Sequence, residues 1–288
     1  MPACPVCSST QSKFKFARPE LRIYSCLECG SEYADPQPSD EVLASIYNGT
    51  YFLGSATEEG RGNAASLKRA TAAIYLDRIQ SFLPSHGMRA LEIGCGSGAF
   101  LVEAASRGFD VTGIDYSESA VREANSRLGR EAVLRGSIED VGLPENSFDL
   151  AAFFDVIEHV RDPRKFLEHV RRCLKPGGLV ALVTPSLDSW SRQLLGSSWM
   201  EYKTEHLVYF RKKSLRELLQ ASGFTDVRIG SNHKILTFDY IYHHFERFPV
   251  PVFTPVMRGV RRLTPQGMAN RQIKIAASGV LAFATKRD

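Results

Sequence analysis

The first candidate for chemistry is a glycine-rich segment, residues 91–98, which reads LEIGCGSG. It follows a short apolar stretch and precedes a stretch with helical periodicity, which predicts a strand, a turn and a helix in that order. Glycine lets the backbone pass close to a ligand, and the first turn of a helix presents N–H groups without partners inside the helix. Taken alone, the loop fits a nicotinamide, flavin or S-adenosylmethionine cofactor, or a turn that binds nothing.

A second candidate is Asp115, which ends another predicted strand about 20 residues after the glycine-rich segment. A carboxylate in this position can accept hydrogen bonds from both hydroxyl groups of a ribose. Ser117 and Glu118 follow, so Asp115 could instead cap the N-terminus of a helix. The glycine-rich segment upstream favours the ribose interpretation.

Four of the six cysteines form two Cys-x-x-Cys pairs, which are Cys4 with Cys7 and Cys26 with Cys29. Eighteen residues separate the pairs, a spacing typical of a zinc site with four thiolate ligands. Because four protein ligands leave no open position, we expect this zinc to be structural. Iron in a similar site, free thiols and disulfides are the alternatives.

Five motifs in fixed order resemble class I S-adenosylmethionine-dependent methyltransferases, in the branch that includes ubiquinone-type O-methyltransferases and sugar methyltransferases. They lie within residues 66–232 and read LEIGCGSG, GIDYS, GSIEDVGLPENSFD, AFFDVIEHVRDP and LKPGGLVALVTPS. A zinc ribbon in front of such motifs also resembles deoxysugar C-methyltransferases. The resemblance selects S-adenosylmethionine among the three cofactors that the loop alone leaves open.

The resemblance also implies which residues hold the cofactor. They are Glu92, Gly94, Gly96 and Gly98 around the methionine part, Asp115 at the ribose, Tyr116 beside the adenine, Ser137 and Ile138 at the adenine edge, and Asp155 facing the methionine part. Many members of the family have Asp where this chain has Ser137. The contact with the adenine amino group is therefore expected to be weaker, or to come from the backbone.

Two histidines are candidate catalytic bases. Methyl transfer is an in-line displacement, and a base is needed only when the acceptor arrives protonated. His159 follows the fourth predicted strand of the main sheet and His206 the fifth, at the edge where ligands bind in open α/β sheets. Sugar C-methyltransferases place a Glu-His pair in a corresponding loop, which implies that Glu205 holds His206 and favours its protonated form after proton uptake. The tyrosine that those enzymes have three residues before the histidine is Lys203 here, and a structural role for either histidine stays open.

Composition and charge bound the partners. Hydrophobic residues make up 43% of the chain and charged residues 24%, as in an ordinary soluble protein. A net charge of +4 is too small to indicate nucleic-acid binding. After position 242 the chain has eight Lys or Arg residues and two acidic residues. This local excess of positive charge could bind substrate phosphate groups or contact an anionic membrane surface. Because no apolar run is long enough to span a bilayer and no signal peptide precedes the first cysteines, we expect a cytoplasmic location.

The elements that must position these residues alternate between strand and helix. Apolar strands are predicted at 90–93, 110–114, 132–134, 148–154, 179–183, 227–229 and 278–285, with helices between most of them. This order indicates a doubly wound, Rossmann-like α/β sheet. The predicted domains are a zinc ribbon at 1–36 with a core of its own, a linker and N-terminal helices at 37–84, and a methyltransferase domain at 85–288. An irregular basic insertion is expected at 233–274.

We therefore expect an enzyme that moves a methyl group from S-adenosylmethionine to a small-molecule or sugar acceptor, with oxygen favoured over carbon. Two alternatives stay open, namely a non-catalytic adaptor that still binds the cofactor and a nucleic-acid methyltransferase. The intact Glu92, Asp115 and glycine-rich segment argue against lost chemistry. The absence of an NPPY- or DPPY-type motif after the fourth strand argues against a nucleic-acid substrate.

Overall fold

The computed structural model describes residues 3–47, 58–84, 86–247 and 253–287. Its strands are β1 (Ser12–Arg18), β2 (Leu21–Cys26), β3 (Glu32–Ala34), β4 (Arg89–Ile93), β5 (Asp110–Asp115), β6 (Val133–Arg135), β7 (Phe148–Phe154), β8 (Leu174–Pro185), β9 (Val208–Tyr209), β10 (Phe224–Leu236) and β11 (Ile273–Lys286). Its helices are α1 (Asp40–Tyr47), α2 (Glu58–Ile79), α3 (Ala99–Ser106), α4 (Glu118–Leu128), α5 (Pro163–Cys173), α6 (Trp190–Leu195), α7 (Lys212–Ala221), α8 (Phe238–Arg247), α9 (Phe253–Leu263) and α10 (Gln266–Ala269). None of the helices described is both long and apolar enough to cross a bilayer.

Seven strands of the described chain form a large sheet in the order β10-β11-β8-β7-β4-β5-β6. Strands β8, β7, β4, β5 and β6 run parallel to one another, whereas β11 runs antiparallel to both β8 and β10. Strands β7 and β8 are buried along most of their length, as expected of central strands covered on both faces. The Rossmann-like α/β sheet predicted from the sequence is confirmed.

The register of the central strands brings the candidate residues together. Strand β4 pairs with β5 on one side and with β7 on the other, so that Glu92 lies opposite Gly113 and Ala152. Because parallel strands end at the same edge, the segments that follow β4, β5, β7 and β8 meet there. These segments are residues 94–98, 116–117, 155–159 and 186–207.

The N-terminal residues form a second, four-stranded sheet in the order β1-β2-β3-β9 within the part of the chain described. Its last strand comes from the large domain, where Tyr33 of β3 pairs with Val208 of β9. The buried Cys4 and Cys29 belong to the same apolar cluster as Leu207 and other residues of the large domain. The expectation that the N-terminal unit has a core of its own is therefore wrong. A unit of about 35 residues buries too little apolar surface to form one alone.

The structure also differs from the irregular insertion expected at 233–274. Strand β10 continues to Leu236 because it pairs with β11 along its length, and helices α8, α9 and α10 fill most of the remainder. Apolar positions at helical spacing, such as Phe238, Ile241 and Phe245, explain α8. Prolines do not prevent these helices, because Pro255 lies in the first turn of α9 and Pro265 just precedes α10.

Candidate functional site

The glycine-rich segment forms a tight turn between β4 and α3. Gly94, Gly96 and Gly98 have φ angles of 70°, 52° and 77°, in the left-handed region that favours glycine. A Cβ atom at Gly94 would lie 2.6 Å from Val156 Cγ2, whereas one at Gly96 would meet nothing within 4 Å. Gly94 is thus required by packing, and Gly96 borders open space that a ligand can enter. Gly98 caps α3 without a side-chain hydrogen bond, so no capping side chain satisfies the first N–H groups of this helix.

Two buried carboxylates lie directly behind this loop. Asp115 accepts hydrogen bonds from the N–H groups of Gly96 and Ser117, both at 2.8 Å. Glu92 has its Oε2 atom buried without a hydrogen-bond partner. Burial first, and then the nearby Asp115, raise the pKa of Glu92 well above its ordinary value. A buried acceptor without a partner beside a glycine-rich turn fits a ligand that brings its own N–H or O–H donors, such as the amino group of S-adenosylmethionine.

The residues expected at the adenine follow β5 and β6. Tyr116 is 70% exposed, so its ring is accessible to a planar ligand, and Ile138 is buried. The Ser137 hydroxyl donates a hydrogen bond to Asp140 Oδ2 at 2.6 Å and accepts one from the N–H of Glu139 at 3.2 Å. A carboxylate therefore lies at this turn although residue 137 is Ser. The sequence interpretation did not identify Asp140.

Asp155 follows β7 with a positive φ of 55°. Its Oδ2 atom lies 2.7 Å from Nζ of Lys234, which belongs to β10. Although burial acts to lower it, the pKa of Lys234 lies above its ordinary value because Asp155 and Tyr75 favour the charged form. Lys234 was not expected at the site, since the sequence predicts that strand to end near residue 229 and the two residues are 79 positions apart.

The two candidate histidines are brought into contact. The rings of His159 and His206 have centroids 4.7 Å apart and are nearly perpendicular. His159 Nδ1 is hydrogen-bonded to the backbone carbonyl of Glu205 at 2.9 Å, and the charge of Glu205 also acts to raise the pKa of His159. Burial, with His159 and Lys203 adding to it, lowers the pKa of His206 well below its ordinary value. Burial also lowers the pKa of His159, so the environment of both rings favours the neutral imidazole before any proton is taken up.

Glu158 joins these histidines, and the sequence interpretation missed it. Its side chain is 1% exposed, and Thr184 Oγ1 donates a hydrogen bond to its Oε2 at 2.9 Å. The other oxygen, Oε1, is buried without a partner. One side-chain atom each from Glu158, His159 and His206 lie within 4.8 Å of one another. Glu158 stands inside the AFFDVIEHVRDP motif, but nothing in that motif tells that its side chain points inward.

The four cysteines of the N-terminal unit converge as their spacing predicts. Their sulfur atoms all lie within 4.8 Å of one another, with Cys4 and Cys29 at 3.7 Å and Cys7 and Cys26 at 3.5 Å. These separations are far longer than a disulfide bond and close to the roughly 3.8 Å between thiolates around a tetrahedral zinc ion. The donor set and its geometry thus fit zinc. A hydrogen bond from Cys4 lowers the pKa of the Cys29 thiol to about 4, so one thiolate is already favoured there.

The loop that carries His206 is held by the N-terminal unit. Glu32 of β3 is 1% exposed and accepts a hydrogen bond from the Tyr202 hydroxyl at 2.5 Å. It also forms ion pairs with Lys15 and, at 3.5 Å, with Arg192. Four residues after Tyr202 comes His206, and β9 then pairs with β3. The N-terminal unit therefore contributes to the position of a candidate catalytic residue.

Residues 67–229 match the family of methyltransferase domains. A probable S-adenosylmethionine-dependent methyltransferase of Mycolicibacterium smegmatis is 33% identical over 140 residues, which cover 48% of this chain and 52% of that protein. A ubiquinone biosynthesis O-methyltransferase of Cereibacter sphaeroides is 32% identical over 135 residues, covering 44% and 55%. The chain thus spans about half the length of these curated relatives.

Solved structures show the same fold. The phosphoethanolamine N-methyltransferase 2 of Haemonchus contortus in complex with S-adenosyl-L-methionine aligns with a TM-score of 0.56 at 20% identity, over 89% of this chain and 62% of that one. A possible histamine N-methyltransferase from Thermotoga maritima aligns with a TM-score of 0.53 at 21% identity, over 86% and 99%. At these identities the likeness establishes the fold alone.

Proposed function

Because the chain belongs to the class I S-adenosylmethionine-dependent methyltransferases, we propose that it methylates a hydroxyl oxygen of a small-molecule or sugar acceptor. The observation that carries the proposal is the contact between the buried imidazole of His206 and the half-buried imidazole of His159, at the edge where the cofactor loop lies and in surroundings that favour the neutral form of both rings. An alcohol or phenol must lose a proton during methyl transfer, and neutral imidazoles beside the acceptor can promote that loss. Relatives named as ubiquinone biosynthesis O-methyltransferases support oxygen over carbon as the acceptor.

The cofactor supplies an electrophilic methyl group on a sulfonium. Different residues of the site would bind different parts of it. Gly96 and the first turn of α3 would bind its polar atoms, and the orphan oxygen of Glu92 would accept a hydrogen bond from its amino group. Asp115 would accept hydrogen bonds from the ribose, with its carboxylate already oriented by two backbone N–H groups. Tyr116, Ser137, Ile138 and Asp155 keep the roles that the family resemblance implies.

In this proposal His206 is the group that promotes deprotonation of the acceptor, and His159 is the alternative. Both rings lie at the carboxyl edge of the sheet, and the burial of His206 separates it from bulk water. Glu205 acts through its backbone carbonyl, which fixes the orientation of His159. Holding donor and acceptor in line supplies most of the remaining rate enhancement.

The N-terminal cysteines are proposed to hold one structural zinc ion. With its four thiolates as the ligands, the ion would have no open position for a substrate. Its role would be to stabilise β3, on which β9 and the His206 loop depend.

A phosphate on the acceptor remains part of the proposal, with cations after position 242 as its partners. Two of these cations are engaged locally, because Arg258 pairs with Glu246 and Arg261 with Asp239. The contribution of this segment to anion binding is therefore smaller than its net charge indicates. A cytoplasmic location likewise stays a prediction.

The proposal is tested with methyl-labelled S-adenosylmethionine and a panel of hydroxylated small molecules and sugars. His206→Asn should lower turnover by roughly 10²–10⁴-fold, the usual effect of losing a group that promotes proton loss, while affinity for S-adenosylhomocysteine stays unchanged. His159→Asn compares the two rings, and His86→Ala, at an exposed histidine, is the control. Full turnover in both ring variants, or label found on carbon or nitrogen, would overturn the assignment.

A further inference from the structure

We propose that Glu158, His159 and His206 bind one divalent transition-metal ion, and that this ion coordinates the acceptor hydroxyl. The inference rests on the proposed function, because it specifies how the acceptor loses its proton. In this arrangement the two imidazoles are metal ligands and do not themselves take up the proton.

The donor atoms are already nearly close enough for one ion. They lie within 4.8 Å of one another, whereas ligands about 2.1 Å from a shared ion lie at most about 4.2 Å apart. Movements of a few tenths of an ångström would complete the site. All three residues belong to short segments at the sheet edge, two in the turn after β7 and one just before β9.

Two of the three side chains carry a buried polar atom without a partner among the described residues. These atoms are Oε1 of Glu158 and Nδ1 of His206, on side chains that are 1% and 3% exposed. Buried polar atoms are nearly always partnered, so two such atoms in one cluster indicate a shared missing partner. A carboxylate oxygen and a neutral imidazole nitrogen both offer lone pairs, which a single cation would satisfy together.

Hydrogen bonds from neighbouring residues fix the orientation of His159 and Glu158, as hydrogen bonds to metal ligands do in known metal sites. The Glu205 carbonyl binds Nδ1 of His159, so this ring would present Nε2 to the ion. Thr184 holds one oxygen of Glu158 and leaves the other directed to the cluster. Metal-bound imidazoles and carboxylates are characteristically fixed by such second contacts.

The donor set indicates the class of ion and of acceptor. Two imidazoles and one carboxylate suit Mn²⁺, Fe²⁺, Co²⁺ or Zn²⁺, and three protein ligands leave coordination positions open. The acceptor that fits best carries its hydroxyl beside a second oxygen, as in a vicinal diol or a catechol, because two neighbouring oxygens can occupy two open positions. The ion would lie close to the cofactor loop, since Val156, two residues before Glu158, packs on Gly94.

The chemical step then balances without a side-chain base. Coordination lowers the pKa of the hydroxyl, which releases its proton to a water molecule that enters the site with the acceptor. A lone pair of that oxygen forms the bond to the methyl carbon while the carbon–sulfur bond of the sulfonium breaks. The electron pair of the broken bond leaves on sulfur as the thioether.

Cobalt(II) is the probe, added alone to full-length protein whose four cysteines already hold zinc. We expect one Co²⁺ per chain with the weak visible bands of nitrogen and oxygen ligands and without the intense thiolate-to-cobalt charge-transfer absorption. Glu158→Gln, His159→Gln and His206→Gln should each weaken Co²⁺ binding more than about tenfold, because changes even to outer contacts cost about 10–100-fold. His86→Ala, at an exposed histidine, is the matched control and should bind Co²⁺ as the wild type does.

Binding of S-adenosylhomocysteine, measured on the same samples, separates this inference from the proposed function and shows that each variant is folded. If wild-type protein binds S-adenosylhomocysteine but takes up Co²⁺ only with thiolate character, or not at all, the metal site is refuted and the methyltransferase assignment stands. Equal Co²⁺ affinity in wild type and in all folded variants refutes it as well. If wild-type protein does not bind S-adenosylhomocysteine, the proposed function itself fails.

Discussion

Replacing Glu32 by Gln is expected to destabilise both the N-terminal unit and the loop that carries His206. The substitution keeps the shape of the side chain but removes a buried negative charge. That charge faces the Tyr202 hydroxyl at 2.5 Å and the cations Lys15 and Arg192. Tyr202 lies four residues before His206, so the loss of its contact with Glu32 should also affect the position of this candidate catalytic residue.

The magnitude follows from these contacts. Breaking a fully buried ion pair costs about 3–5 kcal/mol, because the remaining charge is left uncompensated. Here the cations keep part of their exposure, at 30% for Lys15 and 16% for Arg192, and water compensates them in part. The hydrogen bond from Tyr202 to a charged acceptor contributes about 1.5–3 kcal/mol, and Gln retains a weaker form of it. We expect a loss of about 2–3 kcal/mol in the free energy of unfolding.

Urea unfolding followed by tryptophan fluorescence measures this loss, since Trp199 is buried beside Tyr202. The matched control is Glu28→Gln, an exposed carboxylate in the same unit, which should stay within about 0.5 kcal/mol of wild type. Turnover in Glu32→Gln should fall while affinity for S-adenosylhomocysteine is kept. A variant as stable and as active as wild type would refute the idea that the N-terminal unit holds the His206 loop.

Three further outcomes are expected. Asp115→Ala should weaken S-adenosylhomocysteine binding by roughly 2–3 kcal/mol, measured by calorimetry, because two hydrogen bonds to the ribose are lost. An unchanged affinity would reject the assignment of Asp115 to the ribose. Burial holds the pKa of His206 below its value in the unfolded chain, so the unfolded state binds more protons. The free energy of unfolding should therefore fall as the pH drops through about 6.5. Urea titrations at several pH values should show this fall, and His206→Gln should make it smaller. Removing zinc with a chelator should lower the midpoint temperature of thermal unfolding of the methyltransferase domain, because Cys4 and Cys29 belong to the apolar core that packs on the large sheet. An unchanged midpoint temperature would contradict this.

The sequence carries most of the cofactor half of the site. Apolar stretches of strand length ending in a glycine-rich turn and in Asp115 are local signals, and parallel strands place such ends at one edge. The same is true of the four cysteines, since two Cys-x-x-Cys turns separated by a hairpin converge on one point. These features depend on short segments whose neighbours in space are set by the sheet order.

The acceptor half depends on contacts between distant segments, which no local pattern specifies. Lys234 reaches Asp155 only because β10 extends to Leu236 through its pairing with β11. Glu158 is recognisable as a member of the cluster only once β9 brings His206 beside it. The pairing of β3 with β9 joins residues about 175 positions apart and follows from the need of a small unit to share a larger core.

The segment 233–274 was misjudged for a different reason. Its prolines and aromatics indicate irregular structure when counted by composition, yet their positions allow helices. Pro255 and Pro265 stand where a helix begins, and there the missing N–H group costs nothing.

We conclude that the cofactor loop and the His159–His206 pair form one site. A crystal structure with S-adenosylhomocysteine bound tests it most directly, through the distance from the cofactor sulfur to the nearest ring nitrogen of His206. A group that promotes deprotonation must lie within about 3 Å of the acceptor oxygen, and that oxygen within about 3 Å of the methyl carbon. We expect a separation below about 10 Å, with Asp115 hydrogen-bonded to the ribose. A longer separation, with the 186–207 loop packed so that it cannot close, would contradict it.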